Sequence, residues 1–101
     1  MYIKVYSYHV RPDKVEKYIK IQQMADSIYS EYVEKTTLHL NCIEDSTKWT
    51  EIHQYASEEA YQQAMEKINA HLAINELYEA FREVLIKDSE ITEENYRLID
   101  I

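Results

Sequence analysis

The chain contains no glycine in its 101 residues. A Gly-rich phosphate-cradling loop, a dinucleotide-binding turn and a nucleophile elbow all need a backbone that only glycine supplies, so most nucleotide-dependent classes drop out. Proline occurs once, at Pro12, and cysteine once, at Cys42. A single cysteine builds neither an internal disulfide nor a thiolate zinc cluster, and its default role is that of a small apolar side chain. No apolar run approaches the roughly 20 residues of a membrane span. The opening Met-Tyr-Ile-Lys-Val-Tyr lacks a basic region followed by a long apolar stretch, so the expectation is a cytoplasmic protein. Positive charge is also short: eleven Lys and Arg stand against nineteen Asp and Glu, a formal net charge of -8. That balance repels a phosphate backbone, and nucleic acid is not an expected partner.

Aromatic side chains are abundant, with ten tyrosines, one tryptophan and one phenylalanine. A phenol combines apolar surface with a polar tip that must find a partner when buried, so these residues suit either a core or a lined cavity. The length fits a single domain over residues 1–101 with a modest core, which leaves room for self-association.

Residues Tyr2 to Val10 alternate between Tyr2, Lys4, Tyr6, Tyr8 and Val10 on one side and Ile3, Val5, Ser7 and His9 on the other. That pattern predicts a strand with both faces covered. Pro12 holds Arg11 extended, and Asp13 followed by Glu16 has the spacing of a helix N-cap with its reciprocal acid. The helix that follows should bury Val15, Tyr18, Ile19, Gln22, Ala25, Tyr29, Tyr32 and Val33. Residues 36–43 and 48–56 alternate around the polar Glu44-Asp45-Ser46-Thr47 stretch, which predicts a hairpin. Ser57 can cap a second helix, with Glu58 and Glu59 at its positive end. Its apolar stripe changes phase between Ile68 and Leu77, so a break is expected near Leu72 to Glu76, with His71 beside it. Residues 88–95 read as a loop and 96–101 as a closing strand.

This β-α-β-β-α-β order predicts an α+β, ferredoxin-like fold: a four-stranded antiparallel sheet with its helices on one face. The other face, carrying Ile3 and Val5, then needs a cover, and the simplest is the same face of a second copy in a homodimer. His9 would lie at that interface, and His39 on a solvated face.

The chain also resembles the antibiotic biosynthesis monooxygenase-like (ABM) family of dimeric α/β barrels over nearly its whole length. The matching stretches are His9-Val10-Arg11-Pro12, the Glu44-Asp45 turn and Glu51-Ile52-His53-Gln54-Tyr55-Ala56-Ser57-Glu58-Glu59-Ala60. Ala70-His71-Leu72-Ala73 ahead of Leu77 to Leu85, and Tyr96-Arg97-Leu98-Ile99-Asp100-Ile101, complete them. The resemblance implies a pocket between sheet and helices. It also implies cofactor-independent monooxygenase activity, an oxidoreductase reaction, on a small phenol or quinone-like substrate. Haem-degrading relatives place an asparagine on the first strand where Tyr6 stands here, and a histidine on the second helix one segment beyond His71. Relatives in the family commonly carry tryptophan after a pair of acids at the end of the third strand, where this chain has His53-Gln54-Tyr55, and the three departures weigh against a haem-degrading role.

Strand parity places Tyr6 and Tyr8 together, and Trp49, Glu51, His53 and Tyr55 together. The expected pocket is therefore Tyr6, Tyr8, Trp49, Glu51 and Tyr55, with His53 and His71 as candidate catalytic bases. Imidazole titrates near neutrality, and a phenolate is oxidised more readily than a phenol. No metal is expected, since no two histidines have a spacing that compels ligation, and the resemblance implies no cofactor. The competing readings are a non-catalytic homodimeric module that binds a small aromatic ligand, a haem-binding relative, and a set of tyrosines that only build the core.

Overall fold

The computed structural model describes every residue from Met1 to Ile101. Strand β1 (Tyr2–His9) leads through a short 3-10 turn, Pro12–Lys14, into helix α1 (Val15–Tyr29). The hairpin β2 (Lys35–Asn41) and β3 (Lys48–Tyr55) follows, then α2 (Glu58–Asn69), α3 (Leu72–Val84) and β4 (Thr92–Arg97). The sheet order is β2-β3-β1-β4 with every neighbouring pair antiparallel, which is the ferredoxin-like arrangement the patterning predicts. No helix is long and apolar enough to cross a membrane.

Register decides what each face carries. Tyr8 pairs with Trp49, Tyr6 with Glu51 and Lys4 with His53. Thr37 pairs with His53 and His39 with Glu51, while Glu93 pairs with Tyr6 and Asn95 with Lys4. Cross-strand partners project to the same side. This face meets the helices, where Tyr8, Val10, Tyr18, Ile21 and Val84 form the buried cluster, with Trp49, Leu77 and Phe81 packed around it. The opposite face presents Ile3, Val5, Ile52, Leu38, Leu40 and Tyr96, and no helix lies over it.

Several local expectations need correcting. Asp13 does not cap the helix. Arg11 O accepts from Lys14 N–H at 2.9 Å, which closes a 3-10 turn at Pro12, and the Asp13 carboxylate accepts from Arg11. Helix α1 stops at Tyr29, short of Tyr32 and Val33, because the chain turns through Ser30 while Ser30 Oγ donates to Ser27 O at 2.9 Å. The closing strand runs Thr92–Arg97, earlier than expected. It is an edge strand, exposed throughout, whose pairing to β1 rests on backbone bonds and on Lys4 reaching Glu93 and Asn95, so apolar alternation is missing.

The break in the helical segment falls at Ala70–His71, slightly ahead of the expected place. It lets α2 bury Ala64 and Ile68 while α3 turns Val84, Leu77 and Phe81 to the other cluster. Ser57 caps α2 as expected, accepting from Ala60 N–H at 3.0 Å. With no glycine to end a helix, the C-caps of α1 and α2 stay right-handed, and Asp88 is the sole residue at positive φ, 64°. Aspartate tolerates that region better than most.

Ile68 is fully buried. Ile68→Ala should cost about 2–5 kcal/mol through lost burial and the cavity left behind. Thermal denaturation should then show a midpoint lower by on the order of 10–40 °C, at about 4–8 °C per kcal/mol. A shift of only a degree or two would mean that α2 is not docked as described.

Candidate functional site

Between the helices and the sheet lies a cavity of about 430 Å³. Its sheet side consists of Tyr6 and Tyr8 from β1, Lys35 from β2, Glu51, His53 and Tyr55 from β3, and Glu93 from β4. From α1 come Ile21, Asp26 and Tyr29, and Tyr61 closes it from α2; α3 adds Ile74, Leu77, Tyr78 and Phe81. An apolar and aromatic wall with a few convergent polar groups is the usual make-up of a small-molecule site.

The polar groups form one continuous chain. Glu51 accepts from the Tyr8 hydroxyl, and Tyr8 and Tyr18 share a second hydroxyl bond at 2.6 Å. The other carboxylate oxygen, Oε1, lies 2.8 Å from His53 Nε2. His53 Nδ1 is 3.0 Å from Lys35 Nζ and 3.1 Å from Thr37 Oγ1. Lys35 Nζ also donates to Asp26 Oδ1 at 3.0 Å, and Asp26 Oδ2 meets His39 Nε2 at 3.1 Å. An ammonium only donates. His53 Nδ1 therefore accepts, and Nε2 carries the hydrogen and gives it to Glu51. The tautomer is thus assigned from the network rather than from visible hydrogens.

Burial makes this network consequential, since the Glu51, His53 and Lys35 side chains are 12%, 7% and 6% exposed. A buried polar group left without a partner costs more than a made bond returns, so each member holds the next in place. Burial alone would raise the Asp26 carboxyl, but the bonds from Lys35 and His39 outweigh it and hold the group below its ordinary value. Lys4 does the same for Glu93. Burial pushes the Tyr6, Tyr8 and Tyr55 phenols well above their ordinary range, and Tyr29 up to about 12. No three His, Cys, Asp or Glu side chains converge closely enough to hold a metal ion.

Of the residues singled out from the sequence, Tyr6, Tyr8, Glu51, His53 and Tyr55 all reach this cavity. Trp49 and His71 do not. Trp49 lies one pair further along β3, where its ring packs 5.0 Å from Tyr18 in the core. His71 sits at the α2–α3 break, its ring edge-on to Tyr32 at 6.4 Å and its Nδ1 buried without a partner. His39, expected to be solvated, is one-third exposed and is tied to Asp26. His9 lies on the helix-free face, and its Nδ1 bonds Thr47 Oγ1 at 2.9 Å.

The sequence reading missed Lys35, Asp26 and Glu93. Lys35 lay one residue before the expected start of β2, yet it shares parity with Thr37 and His39. Asp26 is one turn from Gln22 and from Tyr29, so helical spacing alone placed it beside the buried stripe.

Neither a family model nor a curated protein sequence matches the chain. Solved structures do. SnoaB from Streptomyces nogalater, a cofactor-independent oxygenase, superposes with a TM-score of 0.75 at 11% identity, over 99% of this chain and 94% of that one. A Caulobacter crescentus CB15 protein named for antibiotic biosynthesis monooxygenase gives 0.78 at 11% identity, over 98% and 90%. The chain has the ABM-like fold. A conserved protein from Methanosarcina mazei Go1, at 0.70 and 17% identity over 93% and 91%, shares this ABM-like architecture under a name that assigns no reaction. At such identities the likeness describes the ABM-like backbone, and the chemistry must be argued from this chain's own cavity.

Proposed function

We propose that this protein is a cofactor-independent monooxygenase of small phenols, with the cavity between sheet and helices as its active site. The observation that carries the reading is the Glu51–His53 pair, buried on the wall of an aromatic cavity and held from both ends by Tyr8 and Lys35. The oxygenase name of SnoaB points the same way.

The substrate hydroxyl donates to Glu51, which takes the proton while His53 Nε2–H steadies the carboxyl group. The phenolate gives one electron to dioxygen. The resulting radical and superoxide combine at a ring carbon that carries hydrogen, and the peroxide anion recovers the proton from Glu51. The O–O bond then breaks as the ring C–H proton and the peroxide hydroxyl leave together as water. One phenol and one dioxygen yield one quinone and one water, so atoms and electrons balance without a further reductant. Tyr6 and Tyr55, whose rings flank His53 at 5.9 and 6.4 Å, hold the substrate ring.

Oxygen uptake with 1-naphthol and 1,8-dihydroxynaphthalene tests this. A positioned general base contributes about a hundredfold to ten-thousandfold. Glu51→Gln, and separately His53→Asn, should therefore lower kcat by at least about a hundredfold, with circular dichroism unchanged. Uptake that is absent from the wild type, or equal in Glu51→Gln, would sink the catalytic reading. Saturable naphthol binding without uptake would favour the non-catalytic module, a reading supported by the full engagement of both His53 nitrogens and both Glu51 oxygens.

The active unit in this proposal is a homodimer. A second copy covers the helix-free face of the sheet, where Leu38, Leu40 and Tyr96 are 48%, 45% and 48% exposed.

A further inference from the structure

Charge within the cavity separates ligands that the oxygenase reading leaves equivalent. Three carboxylates reach its wall, Asp26, Glu51 and Glu93, against one ammonium, Lys35. Asp26 is matched by Lys35 and His39, and Glu93 by Lys4 Nζ at 3.0 Å. Glu51 has no lysine or arginine partner. Its partners are the Tyr8 hydroxyl and a His53 ring whose Nδ1 is already taken by Lys35. No cation on the wall is free to meet an anionic ligand.

The same chain shows how the site receives an ammonium. Lys35 Nζ stands 4.8 Å from the centre of the Tyr29 ring while paired to Asp26, and Lys4 Nζ stands 4.8 Å from Tyr61 while paired to Glu93. Each ammonium sits between a carboxylate and tyrosine rings, Tyr29 for Lys35 and Tyr2, Tyr6 and Tyr61 for Lys4, an arrangement that stabilises cations away from water. Glu51 lines the same cavity as Tyr6, Tyr55 and Tyr61, and the protein supplies no third ammonium to it.

We infer that the cavity selects aromatic compounds bearing a protonated amine, with Glu51 and the neighbouring tyrosine faces receiving the ammonium, and turns away aromatic carboxylates. This rests on the cavity being the ligand site; an ammonium on Glu51 occupies the carboxylate that takes the phenol proton, so such amines bind in place of the phenol and compete with it. The selection concerns binding, so it is tested apart from turnover.

Isothermal titration calorimetry with three probes of similar shape decides it: 1-naphthylmethylammonium, 1-naphthalenemethanol and 1-naphthoate. The ammonium should bind at least about tenfold tighter than the alcohol, and the carboxylate at least about tenfold weaker. Raising salt from about 50 to about 500 mM should weaken the ammonium and spare the alcohol, as screening predicts. Glu51→Gln should reduce the preference for the ammonium over the alcohol to less than about threefold. Equal affinities, a tighter carboxylate, or failure of all three probes to bind the wild type would overturn the inference, and so would a preference that survives both salt and Glu51→Gln. Absent oxygen uptake with naphthols would leave this result intact and remove only the catalytic reading.

Discussion

Alkaline titration should unfold the protein in one cooperative step between about pH 11 and 12.5, with the tyrosinate absorbance of the buried phenols and the helical circular dichroism signal changing together. Unfolded phenols ionise near pH 10. In the folded chain burial comes first in raising Tyr8, Tyr18 and Tyr55, whose hydroxyls also lie near Glu51, and it lifts Tyr6 and Tyr29 as well. A raised folded value means that the stability is fully present below about 10 and is lost as pH climbs toward the folded values. Each fully buried phenol costs about 1.4 kcal/mol per pH unit over that range. Tyr8, Tyr18 and Tyr55 are all nearly inaccessible, so together they remove about 4 kcal/mol per unit. A domain stable by about 5–15 kcal/mol exhausts that margin within a few units, and sooner with Tyr6 and Tyr29 included. Lys4, raised by its bond to Glu93 against the pull of desolvation, adds in the same direction. Ionisation of all ten tyrosines complete by about pH 10.5 with the dichroism intact would show that these phenols are not buried in solution.

That titration bears on how much of the molecule was legible beforehand. Strand parity was enough to bring Tyr6, Tyr8, Glu51, His53 and Tyr55 to one cavity, because a period of two leaves no freedom once a strand is assigned. Parity also put Trp49 on the correct face without revealing depth along the strand, and depth is what separates core from cavity. The phase change after Ile68 marked the helix break, but only the coordinates show that it carries His71 away from the site. Lys35 and Asp26 were invisible for a different reason. Their meaning comes from a contact between β2 and α1 that no local pattern encodes, and a lysine at a strand start reads as solvated. The closing strand was expected at 96–101 and starts instead at Thr92, because the polar residues Thr92 to Asn95 are satisfied by charge toward Lys4 and open on the other face.

The second large effect concerns that open face. Leu40→Asp should convert the proposed homodimer to a monomer in sedimentation velocity at about 10 μM, raising the dimer dissociation constant by more than about a thousandfold. Two-fold pairing in the proposed dimer makes the interface self-complementary, so one substitution places an unpaired carboxylate in it twice, each at a cost of several kcal/mol when buried. Leu40 lies on the edge strand β2, paired with Thr50 and beside the Leu38–Ile52 pair, so the carboxylate enters the proposed interface next to an exposed leucine. Leu72 is the control. It is 73% exposed, more than Leu40, but it starts α3 on the helical layer, and Leu72→Asp should leave the dimer intact. A wild type that sediments as a monomer, or a Leu40→Asp variant that still dimerises, would assign the apolar sheet face to some other contact. The cavity lies on the opposite side of the sheet, so the Leu40→Asp monomer should still bind naphthalene probes, and the two surfaces can be tested one at a time.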